Sequence, residues 1–288
     1  MKIGFIGLGI MGEAMCANII KKNNDTVYCC DLNRDRVKLM ENLGGVGTKT
    51  NKELAEKSDV IISMVPESKH SKAVYDEILP CLNEKKICID MSTIDPSVSV
   101  EISEKVKSTG ADFADAPVVK SKPAAEEGKL GIYVGCDEEL YEKIKPILSF
   151  MGENIIRMGE NGMGLVMKVC HNALVSQIQN GVNETLILAQ SYGVSVEDFE
   201  TAVSYGGAQN FYLDSQYKNL MSKNWTTAFS LKNEHKDLGI CENMAKEKGL
   251  KLKGLDNAKS VYDRGMSDDM GAEDFRATYK IVEKISKE

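Results

Sequence analysis

The sequence predicts an α/β fold: a doubly wound, mostly parallel sheet to about residue 163, then an all-helical part. Three observations carry this. Short apolar runs alternate with helical segments through the first half. Those runs are continuous rather than alternating, as in strands covered on both faces. After Gly164, apolar residues recur at helical spacing and no convincing strand follows.

The elements follow in order. KIGFIG (2–7) reads as a buried strand and GEAMCANIIKK (12–22) as a helix with one apolar face. TVYCCD (26–31) is a second strand, followed by a charged helix from Arg34 to Leu43. DVIISMVP (59–66) is a third strand, stopped by Pro66, and KICIDMS (86–92) a fourth. Pro96 to Ser108 reads as a helix, and DFADAPVV (112–119) and GIYVG (131–135) as further strands. Residues 165–193 form one long helix of on the order of 40 Å, which the internal Gly181 weakens without breaking. Further helices are expected at 196–204, 210–222, 232–248, 254–265 and 272–286. The domains expected are 1–163 and 164–288.

With 288 residues the chain suits two domains, and its 42% hydrophobic and 27% charged residues are ordinary for a globular protein. A formal net charge of -7 argues against nucleic-acid binding, which calls for a basic excess. No apolar run approaches the roughly 20 residues of a membrane helix, and no leader pattern opens the chain, so the cytoplasm is the expected compartment. The eight cysteines show no C-x-x-C spacing and histidine is scarce, so buried reduced thiols and no metal site are expected.

GLGIMG places Gly7, Gly9 and Gly12 in G-x-G-x-x-G between a strand and a helix, the context of a Rossmann-type dinucleotide site. Gly7 permits the tight turn, Gly9 lets backbone approach a pyrophosphate, and Gly12 allows close helix–strand packing. The helix start then offers unpaired N–H groups to phosphate. Asp31 lies 31 − 12 = 19 residues beyond Gly12, where an acid accepts ribose hydroxyls and repels a 2′-phosphate. Leu32 stands where an NADP enzyme wants arginine, and Arg34 reads as a helix-start surface charge, so NAD(H) is expected over NADP(H). Val65-Pro66 and Ser92-Thr93 end strands at the edge where a cofactor would lie, although ordinary strand termination reads equally well.

In the long helix Lys168 and Asn172 are four apart and share a face, beside the apolar Val169 and Ala173. Apolar surroundings lower a lysine pKa and suit it to proton transfer. On the helix alone, an ammonium snorkelling to solvent is the plainer reading.

GENGMGLVMKVCHN (159–172) resembles the G-x-x-G-x-G-x-x-x-K-x-x-x-N signature of the β-hydroxyacid dehydrogenases, which include 3-hydroxyisobutyrate dehydrogenase. FIGLGIMGEAM (5–15), DMSTIDP (90–96), DAPV (115–118) and HKDLGI (235–240) are similar to four further motifs of that family, so the resemblance spans essentially the whole chain. It implies an NAD(H)-dependent oxidoreductase acting on a small anionic aldehyde or alcohol, as a homodimer or homotetramer. In its terms Lys168 is the general acid of reduction and the base of oxidation, and Asn172 orients the substrate or Lys168. Ile10, Met11, Val65, Pro66 and Thr93 contact the cofactor, and Thr93 the substrate as well. Lys236 closes over nicotinamide and substrate, and Phe229 excludes water. His171 replaces the family's first Asn and lines the site without a required role.

Most of the family reads D-A-P-V-S-G-G where this chain has DAPVVKS (115–121). Val119 replaces the Ser, and Lys120 and Ser121 replace two glycines of a carboxylate-holding loop. A subgroup resembling 3-sulfolactaldehyde reductases has D-A-P-V-G-R-T, which puts Lys120 on the Arg and Ser121 on the Thr that meet a sulfonate. Lysine is a point charge rather than a planar fork. The expected substrate is therefore 3-sulfolactaldehyde, with succinic or tartronate semialdehyde as the alternative. A solvated basic turn, or a non-catalytic dinucleotide-binding scaffold, stays open at this point.

Overall fold

A computed structural model describes all residues, 1–288. The chain forms two compact units, Met1–Lys168 and Val169–Glu288. The first holds β1 (Ile3–Ile6), α1 (Ile10–Lys22), β2 (Val27–Cys30), α2 (Arg34–Asn42), β3 (Val46–Gly47), α3 (Asn51–Lys57), β4 (Val60–Ser63) and α4 (Ser68–Ile78). There follow β5 (Ile87–Asp90), α5 (Pro96–Lys107), β6 (Asp112–Asp115), β7 (Val118–Val119), α6 (Lys122–Glu127), β8 (Leu130–Gly135), α7 (Glu138–Leu148) and β9 (Gly152–Gly159).

The sheet runs β3-β2-β1-β4-β5-β6-β8-β7, with β9 on β8. Its first six strands are all parallel, in the 3-2-1-4-5-6 order of a dinucleotide-binding fold, whose switch point lies between β1 and β4. Period-two alternation divides the strand side chains. Ile3, Phe5, Val60, Ile62, Ile87 and Ile89 join the core with α1, α2 and α7. Ile6, Ile61 and Cys88 point into the opposite core with α3, α4 and α5.

The expected single strand at 112–119 is two. Pro117 interrupts it, β6 continues the parallel sheet, and β7 pairs antiparallel with β8. Residues 122–127, for which no element was expected, are the short helix α6: Pro123 sits in its first turn, where a missing N–H costs nothing, and Gly128 closes it at φ 69°.

Helix α8 (Met163–Ser191) passes from the first unit into the second. The second unit continues with α9 (Val196–Ser204), α10 (Phe211–Ser222), α11 (Leu231–Glu247), α12 (Lys253–Ser267) and α13 (Thr278–Ile285). The helix expected at 272–286 begins only at Thr278, because Asp274 bridges to Ser230 and a 3-10 turn at Phe275–Ala277 intervenes. Two apolar clusters hold this unit. Val169 and Ala173 pack with Leu238, Tyr262 and Ile281, while Val182 and Leu186 pack with Tyr212, Leu213 and Tyr279. No helix is long and apolar enough to cross a membrane. All eight cysteines are free, but two depart from the expected burial: Cys81 is half-buried and Cys170 is exposed, on the face of α8 that also exposes Leu174.

Candidate active site

The glycine turn is held from both sides. Gly7 N–H donates to Cys30 O at 2.9 Å, and Met64 N–H donates to Ile6 O at 2.9 Å. Gly7 has φ 92°, and a Cβ there would lie 2.3 Å from Met64 O. A Cβ on Gly12 would lie 2.0 Å from Gly7 O. Gly9 differs: it is exposed, and a Cβ there would meet nothing within 4 Å. The two outer glycines thus serve packing, and the middle one bares backbone at the start of α1, beside exposed Ile10 and half-buried Met11. An open cradle at a helix start with no side-chain cap fits a dinucleotide pyrophosphate. Asp31, at the end of β2, accepts Leu8 N–H at 2.6 Å and Asn33 N–H at 2.7 Å, which fixes its carboxylate beside the turn. Leu32 is fully exposed, and Arg34 donates to Thr48 O at 2.6 Å.

The ends of β4 and β5 are locked by Ser63, Asp90 and Ser92, of which only Ser92 was expected at the cofactor edge. Asp90 is buried, and its Oδ1 accepts Ser63 Oγ and Ser92 N–H, each at 3.0 Å. Ser92 Oγ in turn accepts Val65 N–H at 2.8 Å. Burial pushes the Asp90 acid up from its ordinary range, and its serine donors pull it back. Asp90 and Ser92 thereby hold Val65 and present Pro66 and half-buried Thr93 beyond the strand ends. Val65 also lies against Gly7.

Asp115 likewise had no role of its own expected from the sequence. It is completely buried, and it accepts Gly162 N–H at 2.6 Å and Leu165 N–H at 3.0 Å, so it caps α8. Gly135 and Gly164 make the room: a Cβ on either would crowd the carboxylate, at 2.4 and 2.8 Å. Burial pushes its pKa up to about 6 against the pull of the backbone donors. Lys168 stands one turn past Leu165, half-buried.

Lys120 adopts φ 80°, a left-handed conformation unusual for a side-chain-bearing residue. Its ammonium donates to Lys129 O at 2.8 Å and pairs with Glu153 at 3.0 Å. Ser121 is the exposed first cap of α6, with no capping bond from its side chain, and Lys122 pairs with Glu126.

In the second unit, buried Asn172 donates Nδ2–H to Asp237 Oδ2 at 2.7 Å, and the other oxygen of Asp237 faces Lys236 Nζ at 3.1 Å. One turn along, Ser176 donates to buried Glu234 at 2.6 Å. Asn172, Ser176, Gln179 and Asn183 form a buried polar stripe of α8 that continues the line of Lys168, a 4-4-3-4 spacing visible in the sequence. Asp237 thus brings Asn172 and Lys236 together and fixes which way the Asn172 amide points. His171 is half-buried, and half-buried Phe229 sets its ring edge-on to Phe275 at 6.0 Å. No group of three or more His, Cys, Asp or Glu side chains is placed to hold a metal ion.

Residues 2–159 match the family described as the NAD binding domain of 6-phosphogluconate dehydrogenase. Residues 162–282 match the one described as NAD-binding of NADP-dependent 3-hydroxyisobutyrate dehydrogenase. The 2-(hydroxymethyl)glutarate dehydrogenase of Eubacterium barkeri is 30% identical over 99% of this chain and 96% of its own. The 2-hydroxy-3-oxopropionate reductase of Escherichia coli (strain K12) is 30% identical over 91% of this chain and 92% of its own. The Mycobacterium tuberculosis 3-hydroxyisobutyrate dehydrogenase with L-serine has a TM-score of 0.89 at 25% identity, over 97% of this chain and 98% of that one. With the glycine turn, the parallel sheet and the capped lysine helix already in place, these likenesses assign the chain to the β-hydroxyacid dehydrogenase family of nicotinamide-dinucleotide-dependent oxidoreductases.

Proposed function

We propose that this enzyme reduces a small aldehyde carrying an anionic group, with Lys168 as proton donor and NADH preferred over NADPH. The observation that carries the reading is the α8 pair: Lys168 one turn before Asn172, whose amide is aimed by buried Asp237. Reduced nicotinamide, when bound, supplies a hydride to the carbonyl carbon. The Lys168 ammonium hydrogen-bonds the carbonyl oxygen and gives up its proton as negative charge develops there. Asn172 orients that oxygen or the ammonium. Gly9, Ile10 and Met11 hold the pyrophosphate in the turn that Gly7 and Gly12 shape, Asp31 holds the adenosine ribose, and Val65, Pro66 and Thr93 the nicotinamide side. Lys236 and Phe229 close over the substrate.

Lys120 and Ser121, standing on two family glycines, support 3-sulfolactaldehyde as substrate and 2,3-dihydroxypropane-1-sulfonate as product. A carboxylate semialdehyde is the second reading, favoured by the Lys120–Glu153 pair, which already occupies the loop's cation. Relatives named for 2-hydroxy-3-oxopropionate and 2-(hydroxymethyl)glutarate support it too. Comparing kcat/KM for 3-sulfolactaldehyde, succinic semialdehyde and 2-hydroxy-3-oxopropionate, with each cofactor, separates these readings. A sulfonate no better than the carboxylates rejects the first, and a lower KM for NADPH than NADH rejects the cofactor preference. No turnover of any aldehyde would favour a non-catalytic scaffold. The exposed apolar residues Leu174, Leu188 and Tyr192 on and just beyond α8 support a homodimer or homotetramer, and a monomeric mass by light scattering would refute it.

A further inference from the structure

In the loop Asn224–Ser230, Trp225 stacks on Tyr279 and Phe229 sets its ring edge-on to Phe275, while Thr226, Thr227 and Ala228 between them are exposed. The loop is stapled by polar groups from the distant segment Gly271–Arg276. Asp274 is completely buried and Arg276 is 7% exposed. One oxygen of Asp274 accepts Ala228 N–H at 2.8 Å and Phe229 N–H at 3.3 Å. The other accepts the Arg276 backbone N–H and its Nε–H. The guanidinium then reaches Thr226 O at 2.9 Å and Gln216 Oε1 at 3.1 Å. Thr227 Oγ donates to Ala272 O at 3.1 Å, and Phe275 N–H donates to Phe229 O at 2.9 Å. A planar fork with fixed donor directions ties the loop at one end, and a carboxylate accepting two successive N–H groups ties it at the other.

We infer that the Asp274–Arg276 pair is a positioning device: it sets the place of Phe229, and through Phe229 how tightly the enzyme holds its aldehyde. The inference rests on the proposed place of Phe229 over the substrate. A buried ion pair adds little net stability over apolar residues of equal volume, so its consequence here is geometric.

The test uses the full chain with 2-hydroxy-3-oxopropionate and 3-sulfolactaldehyde as probes, in Phe229→Ala, Arg276→Met and the double variant Asp274→Asn/Arg276→Met. The double variant leaves no buried charge unpaired, so it reports even where Arg276→Met does not fold. The expected result is a KM for the better aldehyde raised about tenfold in all three, with kcat changed by less than about threefold and NADH affinity unchanged, the pattern of lost substrate positioning. A lowered melting temperature with unchanged KM, or a parallel loss of NADH affinity, in the Arg276 variants would overturn it. An unchanged KM in Phe229→Ala removes Phe229 from the substrate site and defeats the underlying reading instead.

Discussion

At the scale of single residues, Lys168 and Lys120 have opposite relations to their surroundings. Lys168 stands on a well-formed helix whose start is capped by Asp115, so removing its side chain leaves the backbone supported. Lys168→Ala is expected to lower kcat by on the order of 10²–10⁴, the usual worth of a positioned acid. Its NADH affinity, read by quenching of protein or cofactor fluorescence, should stay near wild type, and near-normal kcat would refute the assignment. Lys120 sits instead where the backbone itself is unfavourable, at φ 80°. Lys120→Gly and Lys120→Ala both lose the exposed pair with Glu153, worth little in water. They differ in the left-handed backbone, which costs a Cβ-bearing residue about 1–2 kcal/mol. The glycine variant should therefore be more stable than the alanine variant by about 1 kcal/mol. Equal melting temperatures would show that the loop relaxes away from this conformation. Both substitutions should raise KM for an anionic aldehyde if the ammonium takes part in binding.

At the scale of elements, the glycine turn separates packing from ligand binding. Gly12→Ala forces a methyl against Gly7 O, and overpacking of this kind costs about 1–3 kcal/mol. Gly9→Ala meets no atom and has an ordinary φ of -64°, so it should leave the melting temperature unchanged while weakening NADH binding. Equal loss of stability in both variants would mean that the middle glycine is structural. Apolar, fully buried strands such as β1, β4 and β5 were legible in the sequence, as were the long helix and the glycine turn. Helix α7 was missed despite its apolar face of Leu140, Tyr141, Ile144, Ile147 and Leu148, since Pro146 within it reads as a breaker, while two other missed elements have weak patterning. Helix α3 buries only Leu54 and Ala55, and β9 exposes Glu153, Asn154 and Ile156 while its register with β8 shifts twice. In α6 the proline reads as a breaker, although the first turn of a helix accepts it. Within the site, the motif residues could be found from spacing. Asp90, Asp115 and Asp237 lie within those motifs, but their roles could not be read there, because they arise from hydrogen bonds that close over 27 to 65 residues of chain.

At the scale of the whole molecule, Asp115 links the sheet to the helix that carries Lys168, and its titration reaches global stability. Its folded pKa, about 6, lies above the ordinary 3.8. The folded chain therefore binds this proton more tightly than the unfolded chain, and the stability so gained is fully present below the ordinary value. It is lost as pH rises through 6, and the whole window is worth about 3 kcal/mol at most. Asp115→Asn removes the titrating group. Its amide oxygen can accept one of the two backbone N–H groups, so the variant starts with a constant penalty. The slope is the diagnostic: from pH 4.5 to 7 the melting temperature of the variant should gain on that of wild type. Asp90, also shifted upward by burial, is present in both proteins, but its charge helps to raise Asp115, so the difference between wild type and variant reports the coupled pair. The isoelectric point near 5.3 falls inside the window, so dilute protein at moderate salt is needed to keep association out of the reading. A difference that stays constant across this range would show that the helix N–H groups hold Asp115 ionised throughout, with its dipole outweighing burial.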